Sequence, residues 1–229
     1  MTTVPVVDDG KIDWRRSLPL ESWYHGRRMS SYLRQVSLLS ASKSEIPDRL
    51  LRRLQIGWGN SAYGGSRSFL AAVVRLITTT QGAVLECGSG LSTLIAAAAL
   101  APDRPLVSLE HHEQWLALVK ANAQIARCAN VSILNAPLIS YGAYSWYGVD
   151  HLTLPACFGL VICDGPPGDT PGGRYGLVPV LRKRLLAGTL VLLDDTQRQS
   201  EQDIAIRWQR ELPADILERA VSHCVLQVR

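Results

Sequence analysis

The chain is 229 residues long, 47% apolar and 19% charged, with a formal net charge of +4. Those proportions exclude a disordered polypeptide and leave room for one domain with a sizeable core. No apolar run reaches the ~18 residues of a membrane-spanning helix, and Met1 to Asp13 lacks the pattern of a secretion signal, so a cytoplasmic location is expected.

Residues 1–20, with Pro5 and Pro19, read as an arm. From Ser30 to Ile56 the apolar positions recur at helical spacing (Tyr32, Val36, Leu39, then Leu50, Leu51, Leu54) and predict two helices. The basic excess lies in this N-terminal third, at Arg15, Arg16, Arg27, Arg28, Arg34, Arg49, Arg52 and Arg53. A solvated helical surface is the expected reading, with an acidic substrate or partner as the alternative. No interleaved aromatic platform argues for nucleic acid. Gly57-Trp58-Gly59-Asn60 breaks the pattern, and Ser66 to Thr79 is helical again.

Gly82 to Cys87 then reads as a strand, and the stretch it opens is the most informative of the chain. Val84-Leu85-Glu86-Cys87-Gly88-Ser89-Gly90-Leu91-Ser92-Thr93 is an apolar run ending in an acid, two glycines at alternate positions and the start of an Ala-rich helix to Leu100. Glycine lets the backbone turn and a ligand come close. The free N–H groups of the helix start offer donors. A dinucleotide site wants a third glycine where Thr93 stands. Glu86, at the mouth of the loop, would repel a pyrophosphate but suits a ligand bearing an ammonium or sulfonium.

Pro105 to Glu110 predicts a second buried strand, and an acid at its end accepts hydrogen bonds from ribose hydroxyls. The alternative is a solvated Glu110 opening the next helix. His111 and His112 follow, one of them a candidate to flank an adenine. A helix spans His112 to Cys128, and Val131 to Leu134 is strand three, with Ala136, Pro137 and Leu138 after it as candidate edges of an adenine pocket. Residues 140–152 form a long loop whose Tyr144, Trp146 and Tyr147 serve either as an acceptor wall or as packing on the sheet edge.

Leu160 to Cys163 is strand four, stopped by Asp164-Gly165-Pro166-Pro167-Gly168. A helix spans Tyr175 to Leu186, and Thr189 to Leu193 is strand five. Asp194-Asp195 follows, then a helix from about Ser200 to Leu212 and two short strands, Ile216 to Ala220 and His223 to Val228. The five scattered cysteines (Cys87, Cys128, Cys157, Cys163, Cys224) form no C-x-x-C pair, and read as small hydrophobes of a reducing compartment rather than a disulfide or zinc framework. Strand–helix alternation with short connections means a mostly parallel sheet covered on both faces. Glu86, Glu110, Asp164, Asp194 and Asp195 then all fall at carboxyl ends of strands, where such sheets bind ligands.

The E-x-G-x-G-x-[ST] pattern at 86–92 resembles motif I of the class I S-adenosylmethionine-dependent methyltransferases. DGPPG at 164–168 occupies the place of their motif IV. With Arg174-Tyr175 and the string LLDDTQRQSE at 192–201, it is similar to bacterial small-molecule O-methyltransferases of the methyltransferase-24 type and, more distantly, to catechol and macrocin O-methyltransferases. The resemblance covers about Gly57 to the C-terminus. It implies a Rossmann-like seven-stranded α/β fold over residues 57–229, with residues 1–56 as an N-terminal extension that shapes an acceptor pocket or forms a homodimer contact. It implies S-adenosyl-L-methionine held by Glu86, Gly88, Ser89, Gly90, Ser92, Thr93, Glu110, His111 and Asp164, with Asn60 and Ser66 as weaker candidates from the segment before motif I. In the catechol type a magnesium ion is held by the strand-four Asp, a strand-five Asp and the Asn after it; Asp164 and Asp195 match the first two, Thr196 stands where Asn is expected, and Asp194 is an alternative ligand or base. Asp164 and Asp195 are the expected catalytic pair. Arg174, Arg198, Trp146 and Tyr147 are candidates to orient a small-molecule or saccharide acceptor, with bracing of the DGPPG loop as the alternative for Arg174.

The acid cluster favours methylation at oxygen over nitrogen, because a hydroxyl must lose its proton. A nicotinamide-dependent oxidoreductase and a non-catalytic binding protein of the same fold are the rival readings.

Overall fold

The computed structural model describes residues 7–8, 11–12, 21–59 and 63–229; the candidate Asn60 lies outside them. A two-residue antiparallel pair, β1 (Val7–Asp8) and β2 (Lys11–Ile12), precedes the main fold. Three helices follow: α1 (Glu21–Ala41), α2 (Asp48–Trp58) and α3 (Arg67–Thr79). Gly59, with φ +77°, stops α2 by taking the left-handed conformation that glycine adopts without penalty. Ser66 starts α3, its hydroxyl accepting the Phe69 amide at 3.1 Å.

The chain then alternates: β3 (Val84–Cys87), α4 (Leu91–Ala99), β4 (Leu106–Glu110), α5 (Glu113–Ala126) and β5 (Val131–Asn135). Beyond a small hairpin, β6 (Leu138–Ser140) with β7 (Ser145–Tyr147), come β8 (Leu160–Cys163), α6 (Leu177–Leu181) and β9 (Leu190–Asp194). α7 (Gln199–Glu211), β10 (Ala214–Arg219) and β11 (His223–Val228) complete it. The main sheet has seven strands in the order β10-β11-β9-β8-β3-β4-β5. The pairs from β9 to β5 are parallel and β11 is antiparallel to both its neighbours.

Alternating side chains along each strand feed two cores. Val84, Leu106, Leu160, Ile162 and Leu192 pack on one face against α1 to α5; Leu85, Val107, Val161, Cys163 and Leu193 pack on the other with α6, α7 and the hairpin. Met29, Leu33, Val36, Leu50, Leu51 and Leu54 belong to the first core, so α1 and α2 complete one face of the sheet. No described residue of either helix lines the cleft at the strand ends.

Two elements differ from the sequence reading. The stretch 140–152 is no plain loop: Leu138 pairs with Tyr147 and Ile139 with Trp146 in the β6–β7 hairpin, which Gly142 turns at φ +82°. β-favouring aromatics at 144, 146 and 147 explain the strand. The helix expected from Tyr175 to Leu186 is broken into a five-residue α6 between two 3₁₀ turns, Gly173–Gly176 and Arg182–Arg184. Pro179, in the middle of α6, has no N–H to give a helical ladder.

Candidate active site

Strand order reverses between β3 and β8, and their following loops meet there. Gly88 has φ +87°, and a Cβ on it would lie 2.9 Å from the Gly165 amide nitrogen; a Cβ on Gly165 would lie 3.0 Å from the Gly88 Cα. The two glycines let the loops touch. Such a switch point is where open α/β sheets hold their ligands. A cleft of about 1240 Å³ opens there, running from Ser66 and Tyr63 past Ser89, Glu110 and His111 to the acids that end β8 and β9.

On the β3–β4 side the carboxylates are tied to protein donors. Glu86 is completely buried and accepts from Ser92 Oγ at 2.7 Å, Thr93 Oγ1 at 2.6 Å and Ser108 Oγ at 2.6 Å. Burial pushes its pKa up from the usual 4.5 to about 7, although the three hydroxyls hold it down. Thr93 Oγ1 also accepts the Gly90 amide at 2.8 Å, closing the first turn of α4. Glu110 takes the Ser89 amide at 3.1 Å and the Ser89 hydroxyl at 2.8 Å on one oxygen, and the His111 and His112 amides at 2.8 and 2.9 Å on the other. Burial alone would raise Glu110, but these donors outweigh it and hold its carboxyl below the usual range.

Glu86 does not line the cleft. Its side chain points into the sheet face under α4, where it fastens the loop from behind. Ser92 and Thr93 spend their hydroxyls on Glu86, and neither they nor Gly90 line the cleft. Ala136, Pro137 and Leu138 do not line the cleft either; Ala136 is fully buried, its amide bonded to Glu110 O at 2.7 Å. Trp146 is core, packed against Gly176, where a Cβ would meet its side chain at 2.8 Å. Tyr147 does line the cleft. Its hydroxyl is buried without a partner, and burial raises its pKa well above the ordinary tyrosine value.

On the β8–β9 side Asp164, Asp194 and Asp195 bring carboxylate oxygens within 4.8 Å of one another. Asp195 takes the left-handed conformation, φ +60°, which turns it back toward Asp164. Burial raises Asp164 to about 6, with Arg174 lowering and Asp195 raising it; Asp194 goes to about 8 through burial and the Asp164 charge. Arg174, 2% exposed, donates through Nη2 to Asp164 O at 2.6 Å, Asp164 Oδ1 at 3.3 Å and Asp195 Oδ2 at 2.7 Å, and through Nη1 to Asp194 O at 2.6 Å. Arg174 braces the acid loops through both terminal nitrogens and also lines the cleft, while its Nε is buried without a partner. Arg198 Nη1 lies 3.0 Å from Asp195 Oδ2, and its half-exposed side chain lines the cleft. The Thr196 hydroxyl is buried with no partner and does not line the cleft, and the third member of the acid cluster is Asp194.

Of the weaker candidates, Ser66 lines the cleft while capping α3, and its hydroxyl lies 2.7 Å from that of Ser222. His111 lines it with its ring edge-on to Tyr147 at 6.1 Å and its Nδ1 3.2 Å from Glu110 Oε1. Sequence reading missed Tyr63, Trp115, Gln197 and Ser222. Trp115 Nε1 donates to Ser89 O at 2.6 Å, and the ring meets Trp58 and Tyr63 edge-on. An aromatic in the first turn after Glu110 was a usable signal for Trp115. Ser222 had none, because the β10–β11 turn carries it in from the far end of the chain.

Strand order, antiparallel β11 and switch-point cleft together define the Rossmann-like class I methyltransferase fold. No family model matches the chain, and no curated protein matches it. Solved structures do. A SAH-bound methyltransferase from Podospora anserina superposes with TM-score 0.59 at 17% identity, covering 93% of this chain and 98% of its own. An O-methyltransferase from Bacillus cereus in complex with SAH gives 0.56 at 15%, covering 87% and 91%. A precorrin-6y C5,15-methyltransferase from Geobacter metallireducens gives 0.54 at 13%, covering 74% and 91%. At these identities the likeness is one of fold. No described helix is long and apolar enough to cross a membrane.

Proposed function

We propose that the protein is an S-adenosylmethionine-dependent methyltransferase acting on a hydroxyl of a small molecule. One observation carries the reading: the Gly88–Ser89 turn and Glu110 share a single cleft with the partly exposed carboxylate of Asp164. Two of the solved structures with this fold are SAH complexes, which supports an adenosyl ligand here. The residues present fit one. Glu110 and Ser89 line the near end, and the buried Tyr147 hydroxyl still lacks a partner at the junction of the two halves.

When bound, S-adenosylmethionine supplies a methyl whose bond to sulfur breaks, leaving the electron pair on sulfur, as the acceptor oxygen bonds to carbon. The chain's own part is alignment and proton removal. Holding two reactants in line is worth ~7–11 kcal/mol of a barrier. Gly88 and Gly165 fix the meeting of the loops, so ligand and acceptor ends keep one separation. Asp164, raised to about 6 by burial, is placed to take the acceptor proton. Arg198, exposed over Asp195, is the side chain positioned to meet an anionic group of the acceptor.

The test is calorimetry with S-adenosylhomocysteine and with NAD, followed by transfer of labelled methyl to a panel of hydroxylated and amino acceptors. Micromolar S-adenosylhomocysteine binding, no NAD binding and labelled ethers are expected. Absence of affinity for the adenosyl ligand overturns the reading, and label on nitrogen alone overturns the choice of oxygen.

A further inference from the structure

We propose that Arg174 occupies the place of a divalent cation in this site, so that the Asp164–Asp194–Asp195 cluster neither holds nor needs magnesium. The inference rests on the methyl-transfer reading for its consequence, but its geometry stands apart from it. Three carboxylate oxygens within 4.8 Å of one another look like a cation site. The cation is already there, and it belongs to the chain.

Arg174 Nη2 reaches both Asp164 Oδ1 and Asp195 Oδ2, the two oxygens that a bridging metal would take. Asp195 Oδ2 is claimed a second time by Arg198 Nη1, and Asp195 Oδ1 accepts from the Gln197 side-chain amide at 3.0 Å. Magnesium demands near-octahedral oxygen ligation at ~2.0–2.1 Å. Here it would have to enter beside two guanidiniums that already point at the same carboxylates. Two guanidinium charges so close oppose the entry of another cation.

Nor can Arg174 step aside. The same guanidinium bonds the main-chain carbonyls of Asp164 and Asp194, tying the ends of β8 and β9 together. Swinging it out would orphan two carbonyls at the ends of these strands and leave carboxylates unpaired.

Arg174 is thus a positioning residue. It holds Asp164 and Asp195 in the arrangement a metal would impose, while Asp164 takes the acceptor proton without a Lewis acid beside it. The experiment is a Mn²⁺ titration followed by electron paramagnetic resonance, on the wild-type protein and on Arg174→Ala, with S-adenosylhomocysteine affinity measured in the same samples. The wild type is expected to bind Mn²⁺ no tighter than about 1 mM. Any tighter binding overturns the proposal. Arg174→Ala, which empties the cation position, is expected to gain Mn²⁺ affinity by at least about tenfold; a folded variant with no gain also overturns it. If that variant does not fold alone, recovery of its thermal transition in Mn²⁺ supports the proposal, and the wild-type titration decides it otherwise. Loss of S-adenosylhomocysteine binding in the wild type would defeat the methyltransferase reading and leave the metal result standing.

Discussion

At the ends of β3 and β4, Glu86 and Glu110 are wrapped in hydroxyl and amide donors; at the ends of β8 and β9, Asp164, Asp194 and Asp195 are met by the guanidiniums of Arg174 and Arg198. Both halves place acids at strand ends, yet they stabilise them by different chemistry. Neutral donors hold both carboxylates rigid, Glu86 behind the loop and Glu110 at the cleft. Guanidiniums cancel most of the charge on the other side and leave Asp164 partly exposed, 29% by side chain, as the group with room to react. Position in the fold does not set an acid's role; what donates to it does.

The sharpest way to break this contrast is Asp164→Asn. It keeps the shape of the β8 loop and removes the base, so kcat should fall by ~10²–10⁴ while S-adenosylhomocysteine affinity stays close to wild type. Equal loss of both would show that Asp164 binds and does not act as base. Next comes Arg174→Ala, which leaves carboxylates without their buried partner and should destabilise the fold by about 3–5 kcal/mol in urea unfolding. Removing Ser92 from Glu86, where two other hydroxyls remain, should cost no more than about 1–3 kcal/mol.

Within the first half, Gly88 and Gly90 separate two kinds of glycine. Gly88→Ala forces a side chain into the left-handed region and against Gly165, with an expected cost of ~1–3 kcal/mol and weakened ligand binding. Gly90→Ala meets only ordinary contacts, Tyr63 O at 3.8 Å and Trp115 Cζ2 at 3.9 Å, and should unfold near the wild-type midpoint. A large loss there would show that the fold demands the second glycine.

The last effect is a slope. Glu86 has a folded pKa of about 7, above its usual 4.5, so between those values the native state binds more protons than the unfolded chain. Stability contributed by this group is present at low pH and lost as pH rises through 7. Glu86→Gln removes the term, and its unfolding free energy in urea should fall less than the wild type's between pH 5 and 8, by roughly 2–3 kcal/mol. Parallel curves would show that Glu86 is already ionised throughout.

The sheet and the acids at its ends were legible because they are local. Apolar runs of strand length stop at Glu86, Glu110, Asp164 and Asp194, and glycine or proline follows several of them. What each acid does was less legible, since it depends on partners remote in sequence. Ser108, 22 residues on, helps turn Glu86 inward; Arg174 reaches Asp195 across 21 residues. The aromatic stretch 144–147 announced packing or ligand contact without choosing. Alternation in β7 chose, burying Trp146 in the core and leaving Tyr147 at the cleft. The continuous helix read over 175–186 overlooked Pro179, the residue that limits α6 to five residues.

Antiparallel β11 follows β10 in the chain yet lies inside it in the sheet, with His223 opposite Asp194. During vectorial synthesis β9 is therefore an uncovered edge until residues 214–228 have emerged and folded back as a hairpin. An exposed strand edge recruits foreign strands, and the acids at its tip meanwhile lack the Ser222 carbonyl that holds the Thr196 amide at 3.1 Å. The ends of β8 and β9 gain this support only when the C-terminal hairpin folds back, so a ribosome-bound chain stalled in α7 should be aggregation-prone.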